Sequence, residues 1–97
     1  MPVATLTLEL AIEGAQSLKD RRRAVRSIKD KLRHGFNISV TELDDASLWN
    51  RATVGVAAIS NSRDYLEGQL REVEQAVERI GVGLGVTVMD AYTDMPD

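Results

Sequence analysis

The chain has 97 residues, no cysteine and a formal net charge of −3, with 43% hydrophobic and 28% charged residues. This length indicates one domain, residues 1–97, that buries roughly 60 to 65% of the surface its unfolded form exposes, and the composition excludes a disordered chain. The lack of cysteine excludes a disulfide framework, a thiolate zinc site and a cysteine nucleophile.

The N-terminal segment and the hydropathy of the chain bear on location. The first fourteen residues, "MPVATLTLELAIEG", contain no basic residue and alternate in polarity, which is untypical of a signal peptide or a transit sequence. No apolar run approaches the roughly 20 residues that a bilayer crossing requires. We therefore expect a cytoplasmic protein with no membrane contact.

The first half of the chain predicts a strand, a helix and a second strand. Residues Val3 to Ile12 alternate in polarity, as in a half-buried strand. Ser17 is the expected N-cap of a helix that runs to about His34, with Asp20 completing an approximate capping box and Gly35 suited to the left-handed position after the helix. The segment "FNISVTEL" then alternates as a second strand, and "DDASLWNR" breaks the pattern as a connecting turn.

The second half of the chain predicts a strand, a helix and a last strand, and its basic residues are not concentrated in one segment. The segment "ATVGVAAIS" is apolar on both faces, as in a central strand. Asn61 or Ser62 caps a second helix to about Ile80, and a last strand runs from Leu84 to about Tyr92 before a frayed tail, "TDMPD". The βαββαβ order predicts an α+β, ferredoxin-like fold: a four-stranded antiparallel sheet with two helices on one face.

Positive charge is concentrated on the first helix. Between Ser17 and His34 the chain carries eight basic and two acidic residues, a balance of +6, whereas the remainder carries four basic and thirteen acidic residues, a balance of −9. A helical projection aligns four of the cations in one ridge, with two more beside it. The ridge is Arg22, Arg26, Lys29 and Arg33, and its neighbours are Lys19 and Arg23.

Two interpretations of this ridge remain open. Like charges four residues apart, and cations in the first turns, destabilise a helix. Either carboxylates of the fold or of a dimer partner neutralise the ridge, or the ridge contacts phosphates and gives salt-dependent, sequence-independent affinity. The second interpretation predicts a nucleic-acid-binding surface that includes Lys19, Arg21, Arg22, Arg23, Arg26, Lys29 and Arg33.

Arg21 points into the apolar stripe of the helix and is expected near the turn between the second and third strands. A structural ion pair with Asp44 or Asp45 is one expectation, and a polar site for a ligand or RNA is the other. Trp49, the only tryptophan, is expected to plug the end of the core, against a base-stacking or partner-docking role. The two aspartates lack a third ligand, so we expect no metal site.

Enzymatic readings find little support. The glycines of "GVGLG" follow a helix and precede a strand, the reverse of the dinucleotide fingerprint, so we expect no cofactor. Small acylphosphatases share the predicted fold, and Arg21 with Asn50 are the residues that could hold and attack a phosphate. The segment "EGAQSLKD" does not resemble the glycine-rich phosphate cradle of such an enzyme. We expect a non-catalytic protein with no catalytic residues.

The segments "SLKDRRR", "FNISVTELDD" and "LWNRATVGVAAISN", in the βαββαβ order, resemble the bacterial YlxP-like family, the 503 family of domains of unknown function. The resemblance runs from the first strand through the second helix, with Arg21 where the motif has a lysine. It implies a ferredoxin-like fold, no established enzymatic activity, and genes that lie among those for translation and ribosome maturation factors. By that association it implies an RNA- or ribosome-linked accessory protein.

The open face of the predicted sheet bears on the mode of binding. Its outward positions are expected to be Thr5, Thr7, Glu9, Ser39, Thr41, Ala57, Thr87 and Met89, with no aromatic residue, which disfavours the base stacking of RNA-recognition domains. A flat face of small residues, or an unprotected edge strand, suits a homodimer. The partners we expect are thus RNA or a ribosomal particle and a second copy, and a dimerising interaction module without nucleic acid is the alternative function.

Overall fold

The computed structural model describes residues 1–96 and arranges them as a four-stranded sheet with two helices on one face. The strand order is β2-β3-β1-β4, and every adjacent pair is antiparallel. The ferredoxin-like fold predicted from the sequence is confirmed. In chain order the elements are β1 (Val3–Ile12), α1 (Leu18–Gly35), β2 (Ser39–Glu42), β3 (Arg51–Ile59), α2 (Arg63–Val82) and β4 (Val86–Asp94).

The core lies between the helices and one face of the sheet. Alternate residues of β1 and β3 are buried, as the period of two requires, and each helix buries one stripe of side chains against them. Nearly every large buried side chain is aliphatic, so shape rather than aromatic stacking fills this core. The largest of them are Leu6, Leu8, Leu10, Ile12, Ile28, Leu32, Leu66 and Leu70.

Capping of α1 differs in detail from expectation. The Ser17 hydroxyl accepts from the backbone N–H of Asp20 at 3.2 Å, as predicted. The Asp20 carboxylate accepts from the N–H of Gln16 at 3.1 Å rather than from that of Ser17, so the box closes one residue earlier. Gly35 is the last helical residue, and the left-handed conformation predicted for it is wrong: the glycine with positive φ, +69°, is Gly85 before β4.

The predicted strand ends needed correction. β2 is only four residues long, shorter than "FNISVTEL" suggested. β4 extends through Thr93 and Asp94, and Met95 packs against the core. The frayed tail is therefore wrong for 93–95, where backbone pairing with β1 and burial hold the chain, and Asp97 lies outside the described residues.

A bulge in β4 changes which side chains reach the open face. The register with β1 shifts between Glu9 and Leu10, so that Asp90 pairs with Glu9 while Val88 pairs with Leu10. The extra residue reverses the alternation beyond it. Tyr92 consequently lies on the open face, where its hydroxyl donates to Asp90 at 2.8 Å, and this hydrogen bond raises the pKa of Tyr92. The expectation of an open face without aromatic residues is wrong at this position.

Candidate nucleic-acid interface

Arg21 is a structural residue at the start of α1. Its side chain is 3% exposed, and its guanidinium donates from three nitrogens: Nε to the carbonyl of Arg51 at 3.0 Å, Nη1 to Glu42 at 3.1 Å and Nη2 to Asp44 at 2.7 Å. The predicted ion pair with Asp44 is confirmed. Since these contacts hold the guanidinium inside the fold, Arg21 is not accessible to an external phosphate. The predicted binding surface is corrected accordingly and does not include Arg21.

Asp44 organises the loop of residues 43–50. One carboxylate oxygen accepts from Arg21 and, at 3.3 Å, from the N–H of Ala46, and the other accepts from the N–H of Thr53 at 3.2 Å. Ala46 takes φ of +59°, which costs a residue with a Cβ on the order of 1 kcal/mol. Asp45 is exposed, and its hydrogen bonds from Ser47 lower the pKa of the Asp45 carboxyl. The loop is thus tied to both α1 and β3.

The C-terminal half of the predicted ridge faces β2. Lys29 is 21% exposed and pairs with Glu42 at 3.4 Å. Arg33 donates to the carbonyl of Val40 at 2.8 Å and lies 3.8 Å from Asp30. In an antiparallel pair, alternate residues of a strand bond to the neighbouring strand. Leu43 donates its N–H to Thr53, so Val40, an odd number of residues earlier, directs its carbonyl away from β3 and toward Arg33. The first interpretation, neutralisation by the fold itself, therefore holds for Lys29 and Arg33.

Glu42 is the partner that sequence reasoning missed. It ends β2 on the helix-facing side and receives both Arg21 and Lys29. The polarity pattern of the second strand could have identified Glu42. Val40 faces inward, so Glu42, two residues later in the strand, faces α1 as well.

The two N-terminal residues of the ridge and the two cations beside them have no such neutralisation. Lys19, Arg22, Arg23 and Arg26 are all exposed, and within residues 1–96 none of them has an ion pair or side-chain hydrogen bond. They lie at relative positions i, i+3, i+4 and i+7 on one face of α1 and line a shallow depression of about 190 Å³. We call these four residues the cationic cluster.

The cationic cluster is unfavourable for the isolated helix. It contains four like-charge pairs at i,i+3 or i,i+4 spacing, each destabilising by a few tenths of a kcal/mol. Lys19 also lies in the first turn of α1, where a cation opposes the helix macrodipole by about 0.3 to 1 kcal/mol. Burial of the apolar stripe of α1 offsets this destabilisation. In the described chain, no intramolecular contact of the cluster reduces it.

Trp49 is 51% exposed and does not plug the core, so that expectation is wrong. The residues of the core cluster are aliphatic, with Ile12 and Val86 among them, and Trp49 is not one of them. The acylphosphatase assignment also lacks support at Arg21, because its side chain is 3% exposed and donates to three oxygens of the fold. Among residues 1–96, no three His, Cys, Asp or Glu side chains come together as metal ligands.

Neither helix in the described part of the chain has the long apolar stretch that crossing a membrane requires. A family model described as "Protein of unknown function (DUF503)" matches residues 3–90. The "Uncharacterized protein YlxP" of Bacillus subtilis (strain 168) is 35% identical over 65 residues, which are 67% of this chain and 71% of that protein.

Solved structures with a similar backbone are distant in sequence. A C-terminal segment of the alpha subunit of aIF2 from Pyrococcus abyssi has a TM-score of 0.53 at 13% identity, covering 100% of this chain and 52% of that one, so this chain spans about half its length. A mutant of SnoaB, a cofactor-independent oxygenase from Streptomyces nogalater, has a TM-score of 0.57 at 7% identity, covering 98% of this chain and 91% of that one. At such identities the likeness extends to the fold alone.

Proposed function

Because this chain belongs to the DUF503 family, described as proteins of unknown function, we propose a function from its own surface: a non-catalytic accessory protein that contacts RNA or a ribosomal particle through the cationic cluster of α1. The observation that carries the proposal is the grouping of four exposed cations without intramolecular partners in residues 1–96. An external polyanion neutralises such a group and releases counterions in doing so.

The arrangement of the other charges supports this proposal. Fold-internal carboxylates are already in use by other cations of α1, because Glu42 pairs with Arg21 and Lys29 and Asp30 lies beside Arg33. The cationic cluster is also the only part of the ridge that leaves all of its charges toward solvent in the described chain. RNA is proposed over other polyanions because of the gene setting that the YlxP-like resemblance implies.

A sedimentation assay with ribosomal subunits across a salt series tests the proposal. Four phosphate contacts on single-stranded RNA give a log–log slope of affinity against salt of about −3. We therefore expect the protein to pellet with subunits at low salt and to be released as salt rises, with that slope. The same titration with naked structured RNA separates RNA from ribosomal protein as the partner. Absence of binding at the lowest salt, or binding indifferent to salt, contradicts the proposal.

A second candidate function, a homodimerising module, is favoured by the open face of the sheet. The helices cover one face of the sheet, and large apolar side chains are exposed on the other. On this open face, Leu43 lies across Gly55 beside a groove of about 320 Å³. The occupant we propose is a second copy. The strands present about 500 Å² of projected area, and the exposed side chains on them add to this area toward the roughly 800 Å² per partner of a standard interface. The exposed apolar residues are Val3, Leu43, Ile59, Met89 and Tyr92.

Light scattering over a concentration series tests the dimer. We expect the mass to rise toward twice that of the chain, and Ala57→Arg, which places a charge at the middle of the open face, to return it to the monomer. Gln75→Arg, which adds the same charge on the exposed side of α2, is the matched control and leaves the mass unchanged. A wild-type monomer at the highest concentration rules the dimer out.

A further inference from the structure

We propose that Trp49 is a base-stacking platform which, with the cationic cluster, makes a site for single-stranded RNA. This inference rests on the proposed function and deepens it, because it names the form of RNA that the surface fits. Three features of the described chain carry it: the position of the 43–50 loop, its fixed backbone, and the distribution of charge between loop and helix.

The loop and the cationic cluster lie at the same end of the domain. Arg21, beside the cluster residue Arg22 in sequence, binds Asp44 at the start of the loop, and the Asn50 carbonyl at its end accepts from Ile12, just before α1. Arg22 also lines a second depression, of about 200 Å³, together with Ala46 of the loop. Both depressions are lined by Arg22, and we call the surface from the cationic cluster to the loop the path.

The loop holds its apolar side chains outward on a backbone that is anchored at both ends. Leu43 bonds to Thr53 at 2.8 Å, and Asn50 to Ile12 at 2.9 Å. Leu48 and Trp49, immediately before the second anchor, are 58% and 51% exposed. An aromatic ring on a backbone that is already ordered loses less conformational entropy when it binds, so this loop suits a stacking contact.

Charge separates the two halves of the path. The cationic cluster supplies four positive charges on α1, whereas the free carboxylate of the loop is Asp45, which is exposed and held in its charged form by Ser47. Glu42 and Asp44 are balanced by two cations of the fold, since Arg21 pairs with both carboxylates and Lys29 pairs with Glu42. A phosphate is thus attracted to the helix and repelled at the loop, and the group that fits the loop is an uncharged, flat base.

A single strand contacts both the cationic cluster and Trp49, whereas a duplex contacts only the cationic cluster. In a duplex the bases are stacked on one another and their faces are closed to a side chain. An unpaired base stacked on an aromatic ring is worth about 1 to 3 kcal/mol, which corresponds to a change in affinity of about 5- to 150-fold. The cationic cluster runs about 10 Å along the helix, so it holds a short stretch of backbone beside the stacked base.

The experiment uses three RNA probes of equal length: an unpaired oligonucleotide, its duplex, and an abasic strand that keeps the phosphates but lacks the bases. Trp49 is the only tryptophan, so its fluorescence reports directly on stacking. We expect the unpaired oligonucleotide to quench this fluorescence and to bind more tightly than the abasic strand. By anisotropy, Trp49→Ala should weaken binding of the unpaired strand by about 5- to 150-fold and leave the abasic strand unaffected.

Two control variants complete the design. Trp49→Phe keeps a stacking ring and is expected to restore most of the affinity, whereas Tyr65→Ala removes an equally exposed aromatic from α2 and is expected to change nothing. If unpaired and abasic strands bind alike, with no quenching and no effect of Trp49→Ala, the stacking site is refuted while the proposed function stands. If neither strand binds even at low salt, the single-strand site is refuted, and the sedimentation assay with ribosomal subunits decides separately whether the proposed function stands.

Discussion

The double substitution Arg22→Glu with Arg26→Glu is expected to reduce RNA affinity by roughly 100- to 1,000-fold at low salt. Each reversal changes the local charge by two units, and a unit pair at contact distance in water is worth about 1 kcal/mol. Both residues belong to the cationic cluster and have no partner in residues 1–96 that the change would break. The slope of affinity against salt should also become shallower by about 1.4, since two of the four phosphate contacts are lost.

The matched control is Lys31→Glu with Arg79→Glu. It alters the net charge by the same amount, and both residues are exposed, but Lys31 projects about 130° around α1 from the centre of the cluster and Arg79 lies on α2. Binding by this control should fall only slightly. Thermal unfolding of both variants checks the fold, and the cluster variant should be no less stable than the wild type because it relieves repulsion along α1. Equal losses in the two variants would mean that net charge, not the cluster, governs binding.

Replacing Arg21 is expected to affect stability instead. Arg21→Met removes the donor to Glu42, Asp44 and the Arg51 carbonyl. Breaking a buried ion pair from one side costs about 3–5 kcal/mol, and the partial exposure of the two carboxylates lowers this to about 2–4 kcal/mol. For a domain of this size the melting temperature should fall by roughly 10–25 °C. Urea unfolding provides the measurement.

Arg22→Met is the control for this change, because it makes the same replacement one residue along, on the exposed face. Its effect should stay within about 0.5 kcal/mol. Arg21→Lys retains one charge but not the three directed donors, so its stability should fall between those of the wild type and Arg21→Met. RNA affinity of folded Arg21→Lys should match the wild type, since Arg21 is enclosed by the fold. Comparable stability of Arg21→Met and Arg22→Met would contradict the structural role.

The fold was predictable because polarity in this chain follows the period of each element. Val3–Ile12 alternates, and the apolar residues of both helices recur at helical spacing, so element order and fold followed. The β4 bulge was not predictable: one extra residue at Met89 has no local signature, yet it moved Tyr92 to the other face. The short β2 and the extended β4 likewise depend on pairing with neighbours rather than on propensity.

The candidate site was predictable in composition but not in accessibility. Helical projection correctly placed Arg22, Arg26, Lys29 and Arg33 on one line. Which part of that line meets β2 depends on how α1 packs against the sheet, and this packing brings Lys29 to Glu42. Trp49 was assigned to the core on its hydrophobicity alone. The core is complete without it, because aliphatic residues fill the available space.

The contact between Arg33 and the Val40 carbonyl has a consequence for how copies of this chain meet. β2 forms one border of the sheet, and a border strand with free carbonyls invites another chain to add a strand. Arg33 occupies one such carbonyl, and β2 is four residues long. The opposite border, β4, is interrupted by its bulge and carries Asp90 and Asp94. Both borders of the described sheet thus resist strand addition and the aggregation it leads to, which leaves the face of the sheet as the surface for the dimer we propose.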